Sequence, residues 1–112
     1  MDKLDRYRKI IHNVLLPLTD RKYSGDSVTN EKVFDESSDR YIIVSVGWLD
    51  PSQRIYFNLV HLDIINGKVW IQRDGTEYGI GYALEDAGIP KEDIVPAFHP
   101  ENIRVHTGYA VA

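Results

Sequence analysis

The fold is decided by the stretch Arg54-Ile-Tyr-Phe-Asn-Leu-Val-His-Leu-Asp-Ile-Ile-Asn-Gly-Lys-Val-Trp-Ile-Gln-Arg-Asp74. Apolar and polar residues alternate on both sides of Asn66-Gly67, which is the spacing of half-buried strands. Asn-Gly is the strongest short-range hairpin signal, because both residues tolerate the positive φ angles of a two-residue turn. The stretch therefore predicts two antiparallel strands, Arg54–Ile65 and Lys68–Asp74.

The two-residue turn also predicts which residues face each other across the hairpin. It pairs Ile65 with Lys68, Asp63 with Trp70, His61 with Gln72, and Leu59 with Asp74. Because directly paired residues share one face of a sheet, four polar side chains should lie together beside Trp70: His61, Asp63, Gln72 and Asp74. The opposite face should belong to the core, with Leu62, Ile64, Val69 and Ile71.

This polar face has three interpretations. It is a hydrogen-bonded surface open to solvent, an interface for a protein partner, or a site where a histidine and two carboxylates bind a metal or transfer protons. A spacing of two between His61 and Asp63 arises in any amphipathic strand, which favours the first two interpretations. We therefore predict no catalytic, cofactor-binding or metal-binding residue. The candidate partner-facing residues are His61, Asp63, Trp70, Gln72 and Asp74.

A zinc site is the remaining metal hypothesis. His99 and His106 could join the polar face only if the C-terminal segment folded over the sheet. Nothing in the sequence forces that geometry, so we predict neither a metal nor a cofactor.

The residues before the hairpin predict one helix and two further strands. Asp2 is a fair N-cap for the helix, and Pro17 should stop or kink it. Its apolar stripe has helical spacing and consists of Leu4, Tyr7, Ile11, Val14, Leu15 and Leu18. Residues 19–30 are polar and should form a surface connection. Strands are then predicted at Glu31–Asp35 and Arg40–Trp48, followed by a turn at Asp50-Pro51-Ser52-Gln53.

After the hairpin, a helix is predicted from a Thr76 cap to Ala87, with Gly88 as its left-handed C-cap and Ile89 folding back on Leu84. The closing residues Tyr109 and Val111 should pack against the body. The predicted fold is α+β: an N-terminal helix, an antiparallel meander of about four strands and short C-terminal helices, in one domain over residues 1–112.

Composition limits the classes of function. The 112 residues are 43% hydrophobic, enough for one modest core. The absence of cysteine excludes disulfides, thiolate metal sites and a cysteine nucleophile. We expect a cytoplasmic protein, since no run approaches the length of a membrane span and the first residues are unlike a signal peptide.

The net charge of −4 is distributed unevenly. Residues 1–22 carry six basic and three acidic side chains, whereas the remainder carries seven basic and fourteen acidic ones. A protein that grips duplex DNA usually presents a cationic face. Only the first helix could supply one, from Lys3, Arg6, Arg8 and Lys9, and a solvated helix face explains them as well. Direct binding of nucleic acid is therefore not expected.

The chain resembles the XisI-type proteins of cyanobacteria, the fdxN-element excision controlling factors. The similarity rests on blocks spread over most of the chain: Met1-Asp-Lys-Leu-Asp-Arg-Tyr-Arg-Lys-Ile-Ile11, Asp39-Arg-Tyr41, Val46-Gly-Trp48, Val60-His-Leu-Asp-Ile-Ile65, Gly67-Lys-Val-Trp-Ile-Gln-Arg-Asp-Gly-Thr-Glu77, Gly88-Ile-Pro-Lys-Glu-Asp-Ile-Val95 and His106-Thr-Gly-Tyr-Ala-Val-Ala112. Residues 16–30 depart most from the family pattern, because Pro17 interrupts what is a longer first helix in similar proteins.

The resemblance implies a small non-enzymatic regulator. Similar proteins control excision of a DNA element by a site-specific recombinase, together with a companion of nuclease-like fold, and no catalytic residues carry over from them. We therefore expect a protein partner, either the nuclease-fold companion or the recombinase. The alternatives are a small hydrolase or metal-dependent enzyme that uses His61, Asp63 and Asp74, and an antitoxin-like neutraliser of the nuclease-fold partner.

Self-association is a further expectation. A four-stranded sheet with one helix layer leaves two edges and one partly uncovered face. Exposed aromatic residues such as Tyr41, Tyr56 or Trp70 would favour a second copy there. The sequence thus predicts a homodimer.

Overall fold

The computed structural model describes residues 2–20 and 27–112. Within them the chain forms three α-helices and five strands: α1 (Lys3–Leu15), β1 (Val28–Asp35), β2 (Arg40–Asp50), β3 (Gln53–Ile65), β4 (Lys68–Asp74), α2 (Ile80–Asp86), β5 (Ile94–Val95) and α3 (Glu101–Arg104). Short 3₁₀ turns lie at Leu16–Asp20 and Lys91–Asp93. None of the described helices is long and apolar enough to cross a membrane.

The five strands form one sheet in the order β1-β2-β3-β4-β5. The first four pair antiparallel as a meander, and β5 adds parallel to β4 through only two residue pairs. The predicted α+β meander is confirmed. A strand of two residues is too short for any alternation to show in the sequence, which is why β5 was not predicted.

Helix α1 follows the predicted pattern at both ends. The Asp2 side chain accepts a hydrogen bond from the backbone N–H of Asp5 at 2.9 Å, and the α-helix ends at Leu15, two residues before Pro17. Tyr7, Ile11 and Leu15 are buried in the core. Leu4, predicted to share this stripe, is 37% exposed.

Strand β1 begins at Val28, three residues earlier than predicted, so part of the expected connection is sheet. Residues 21–26 of that connection lie outside the described residues. Gly47 on β2 makes room for the start of β1: a Cβ atom there would lie 2.0 Å from the carbonyl oxygen of Ser27. That carbonyl accepts a hydrogen bond from the N–H of Trp48. Any larger residue at position 47 would push the two strands apart.

The hairpin turn has the predicted form. Asn66 and Gly67 have φ angles of 52° and 77°, and the pairs Ile65–Lys68 and Asp63–Trp70 are present. Beyond Leu62 the register slips by one residue, so the predicted pairs His61–Gln72 and Leu59–Asp74 are wrong. The cause is a β-bulge at Gln72, an extra residue without an opposite partner on β3.

Helix α2 starts at Ile80, so the predicted start at Thr76 is wrong. Gly79 has a φ angle of 100°, which is incompatible with a continuous helix. The predicted end is confirmed: the N–H of Gly88 bonds to Glu85 and the N–H of Ile89 to Leu84, the Schellman pattern.

The core lies on one face of the sheet, beneath α1 and α2. Its members are apolar residues of the two helices and of the inner strand positions: Tyr7, Ile11, Leu15, Leu18, Tyr41, Ile43, Leu59, Val60, Leu62, Ile64, Val69, Ile71, Ile80, Leu84, Ile89 and Ile94. We call the opposite side of the sheet the outer face. It carries the candidate site.

Candidate functional site

Three of the predicted residues form a hydrogen-bonded polar cluster on the outer face. Asp63 is at its centre: one carboxylate oxygen lies 2.9 Å from Nε2 of His61, and the other accepts a hydrogen bond from Nε2 of Gln72 at 3.2 Å. Nε of Arg40, opposite Asp63 on β2, lies 3.9 Å from the same carboxylate. Asp63 is 9% exposed, so its charge is largely enclosed by these three groups.

The bulge at Gln72 gives the cluster its geometry. Without the bulge, His61 would face Gln72 directly, but in the structure His61 faces Arg73. Gln72 nevertheless reaches Asp63 and donates to it, so the predicted contact among these polar residues exists with different backbone partners. Bulges re-aim side chains in this way and shift the pairing of the residues beyond them.

Trp70 lies beside the cluster, as predicted, and the C-terminal segment covers part of it. The Arg104 guanidinium is 5.7 Å from the centroid of the Trp70 ring, a cation–π distance. Arg104 also donates to the carbonyl oxygens of His99, Ala97 and Val111. This single side chain therefore holds the C-terminal residues together next to Trp70.

Asp74 does not join the polar cluster. The bulge places it opposite Val60, whose side chain points into the core. Its carboxylate accepts hydrogen bonds from the N–H of Thr76 at 2.9 Å, from the Thr76 hydroxyl at 2.6 Å, and from the N–H of Ile80 at 2.8 Å. The prediction that Asp74 shares a face with His61 and Asp63 is therefore wrong, and the observed contacts of Asp74 organise the start of α2.

The structure does not bring the C-terminal histidines to the polar cluster, as the hypothetical zinc site would require. His99 stacks at a tilt on Phe98, with ring centroids 4.5 Å apart. Within residues 2–20 and 27–112, no three His, Asp or Glu side chains converge closely enough to hold a metal ion.

An apolar strip adjoins the polar cluster on the outer face. Pairing of β2 with β1 and β3 brings six side chains together: Val33, Ile42, Val44, Val46, Trp48 and Tyr56. Val33, Trp48 and Tyr56 are 54%, 46% and 68% exposed. Ile42 pairs with His61, so the strip and the cluster form one continuous surface.

The sequence predicts the polar residues of the hairpin and the apolar residues of β2 separately, but it does not predict that they form one surface. Alternation along the predicted strand Arg40–Trp48 assigns one side of the strand to Ile42, Val44, Val46 and Trp48. A bulge in β3 near Leu59 shifts the β2–β3 register, so counting outward from the Asp50–Gln53 turn does not give the correct partners. The opposite charges of Arg40 and Asp63 could have indicated how β2 pairs with β3, since oppositely charged residues favour cross-strand pairing.

Chemically, the surface offers fixed polar groups next to exposed apolar area. In the neutral tautomer whose Nε2–H donates to Asp63, Nδ1 of His61 is an acceptor, and the amide oxygen of Gln72 is another. Internal hydrogen bonds hold these side chains in place, which lowers the entropy lost when a partner binds. Such a combination suits recognition of another macromolecule.

Comparison with known proteins gives a consistent result. The family model described as XisI protein matches residues 1–111. The crystal structure of the fdxN element excision controlling factor XisI from Anabaena variabilis ATCC 29413 is similar, with a TM-score of 0.84 and 35% sequence identity over 99% of this chain and 100% of that one. A XisI-like protein from the same organism gives a TM-score of 0.84 and 28% identity, with the same coverage. No match is found among the curated proteins.

Proposed function

The chain belongs to the XisI family, and on that premise we propose that it is a non-enzymatic regulator that acts through a protein partner. The surface proposed to bind the partner is the outer face, comprising the apolar strip and the polar cluster of His61, Asp63 and Gln72. The observation that carries the proposal is the continuity of these two parts on one side of the sheet.

The exposed area supports this assignment. Val33, Trp48 and Tyr56 present large apolar side chains to solvent on a regular sheet face. Contiguous exposed apolar patches with a polar rim mark protein interaction sites. Tryptophan and tyrosine are also the residues that most often dominate the energy of such interfaces. The cluster around Asp63 would form part of the polar rim.

The charge distribution supports a protein partner over DNA. Two of the four basic residues expected to form a cationic face on α1 are occupied within the molecule. Lys3 pairs with Asp93 at 3.0 Å, and Arg8 pairs with both Asp39 and Asp5. Phosphate neutralisation, which dominates DNA affinity, would need these groups available.

The partner proposed for this surface is the nuclease-fold companion or site-specific recombinase implied by the resemblance, in the cytoplasm. The related Anabaena protein is described as an excision controlling factor. A regulator of recombination that lacks a cationic face would control the recombinase, or a protein bound to it, by contact. An antitoxin-like neutralisation of the same companion would use the same surface.

The enzymatic alternative lacks a supporting observation. It needs His61, Asp63 and Asp74 at one site, and the bulge separates Asp74 from the other two. Asp74 already accepts three hydrogen bonds at the start of α2.

The proposal is tested at the polar cluster. The partner is first captured from the native host and purified, and its affinity for the wild type is compared with that for His61→Ala. We expect a loss of about 1–2 kcal/mol in binding, because a charge-assisted contact is removed while Asp63 remains buried. Asp50→Ala, in an exposed turn, is the control and should bind as the wild type does.

Two results would overturn the proposal. One is unchanged partner affinity in both His61→Ala and a second cluster variant, Gln72→Ala. The other is stoichiometric zinc or manganese binding by the purified wild type that is lost in Asp63→Ala, since this would assign the cluster to metal chemistry.

A further inference from the structure

A separate cleft lies between α2 and the C-terminal segment, away from the outer face. It has a volume of about 130 Å³ and is lined by Ile71, Asp74, Gly79, Gly81, Tyr82, Pro96, Phe98 and Tyr109. The lining is almost entirely apolar or aromatic, and its one carboxylate, Asp74, already accepts three hydrogen bonds from Thr76 and Ile80. The cleft is thus not built around a metal ion.

Two glycines keep the cleft open. A Cβ atom at Gly81 would lie 3.2 Å from the Tyr109 hydroxyl oxygen, and one at Gly79 would lie 3.0 Å from the Tyr82 ring. Gly81 lies inside α2, where glycine is less favourable than alanine. Residues that are unfavourable for their local secondary structure, such as glycine in a helix, occur most often at functional sites.

Aromatic side chains form the mouth of the cleft. Tyr82 is 59% exposed and Phe98 is 49% exposed. Tyr109 is fixed in the wall by its hydrogen bond to Glu85. Tyr78 packs edge-on against Tyr82 and donates to Asp86 at 2.6 Å, which extends the aromatic surface. The faces of such rings carry negative electrostatic potential and attract cations.

The surrounding chain adds formal negative charge. Residues 74–90 contain four carboxylates and no lysine, arginine or histidine: Asp74, Glu77, Glu85 and Asp86. Of these carboxylates, Asp74 lines the cleft, whereas Glu85 pairs with Lys91 at 3.9 Å and Asp86 accepts from Tyr78. An occupant that complements this site needs an apolar stem for the cleft wall and a positive charge for the aromatic rings and the Asp74 carboxylate. Lysine and arginine side chains combine these two properties, because their methylene stems bury while the charged head stays near polar groups.

We propose that this cleft binds a lysine or arginine side chain from a basic segment of a protein partner. The site is independent of the outer face, so the two can be tested separately. A protein that used both surfaces would hold one partner at two points or bridge two partners.

The test uses a short synthetic peptide that alternates glycine and arginine, titrated into the uniformly ¹⁵N-labelled protein at physiological salt. We expect amide shifts centred on Gly79, Gly81 and Tyr82. Because both mouth residues are exposed, the variants Tyr82→Ala and Phe98→Ala should fold normally, which their melting curves check. The double variant should bind the peptide at least about tenfold more weakly, since two cation–π contacts are lost.

Two controls separate specific binding from surface electrostatics. Tyr56→Ala truncates an equally exposed tyrosine on the outer face and should leave peptide affinity unchanged. A peptide with citrulline in place of arginine keeps the shape but loses the charge, and it should not bind measurably. Equal affinity of Tyr82→Ala, Phe98→Ala and the wild type, shifts spread over all acidic surfaces, or equal binding of the citrulline peptide would each overturn the proposal.

Discussion

At the scale of single residues, Asp74 shows how one inserted residue changes a role. Its sequence context, two residues from Gln72 at the end of a strand, predicts a side chain beside His61 and Asp63. The bulge turns it to the other face, where it accepts the N–H of Ile80, the first residue of α2. The sequence was sufficient to select His61, Asp63 and Asp74 as candidates. Which of them lie together depends on the β3–β4 register, and no local sequence signal predicts the bulge that sets it.

We expect Asp74→Ala to lower stability by about 1–2 kcal/mol, because the carboxylate serves three donors at a helix start. For a domain of this size, that corresponds to a drop in Tm of roughly 4–12 °C, measured by circular dichroism. Asp50→Ala removes a comparable turn contact in a fully exposed loop and should change Tm far less. Equal Tm values for the two variants would show that Asp74 does not organise α2.

Asp39 connects α1 to the sheet and makes stability depend on pH. Hydrogen bonds from Arg8, at 2.8 and 3.0 Å, hold the pKa of Asp39 below its ordinary value of 3.8. A lowered folded-state pKa stabilises the protein fully above the unfolded value, and this contribution is lost as pH falls through the folded value. The stabilisation should therefore disappear only below about pH 4.

The variant Asp39→Asn tests this dependence. Asparagine tolerates the positive φ of 52° at this position, so the backbone should be kept. The free energy of unfolding, measured by urea titration, should be lower in the variant at pH 7, and the difference should shrink towards pH 2. A difference that is the same at both pH values would exclude the proposed ion pair as its source.

At the scale of elements, the predictable parts were those with strong local signals. Asn66-Gly67 fixed the hairpin, Asp2 and Pro17 marked the ends of α1, and Gly88 marked the end of α2. The two bulges, the late start of α2 and the two-residue β5 were not predictable. Strand β5 arises from the pairing of Val69 with Ile94, which are distant in sequence, and the late start of α2 arises from the positive φ angle of Gly79.

The C-terminal segment is expected to contribute to stability as an element. Tyr109 packs against the core and donates to Glu85, and the N–H of Ala110 bonds to the carbonyl of Ile94. Deletion of residues 107–112 should lower Tm by several degrees, as loss of one or two buried apolar side chains would. The variant Tyr109→Phe keeps the packing of the ring, so its Tm should fall much less. An unchanged melting curve after the deletion would show that this segment adds nothing to stability.

At the scale of the whole molecule, helices cover one side of the sheet, while the other side presents the apolar strip. We expect a homodimer, because a second copy could cover Val33, Trp48 and Tyr56 by sheet-on-sheet packing. The regulatory partner would then displace this second copy from the same face. Sedimentation at micromolar concentration should give twice the protomer mass, and Tyr56→Glu should reduce it to one protomer. A wild-type mass near 12.9 kDa under these conditions would contradict the expectation.

The central claim is that the outer face binds the regulatory partner. The most direct measurement is the dissociation constant of the purified partner for two variants, Tyr56→Glu on the apolar strip and Leu4→Glu on α1, which lies outside both the outer face and the cleft. Tyr56 is 68% exposed and Leu4 is 37% exposed, so both substitutions should leave the fold intact. We predict at least about tenfold weaker binding for Tyr56→Glu, as expected for a charge placed at the centre of an interface, and little change for Leu4→Glu. Wild-type affinity in Tyr56→Glu would contradict the account.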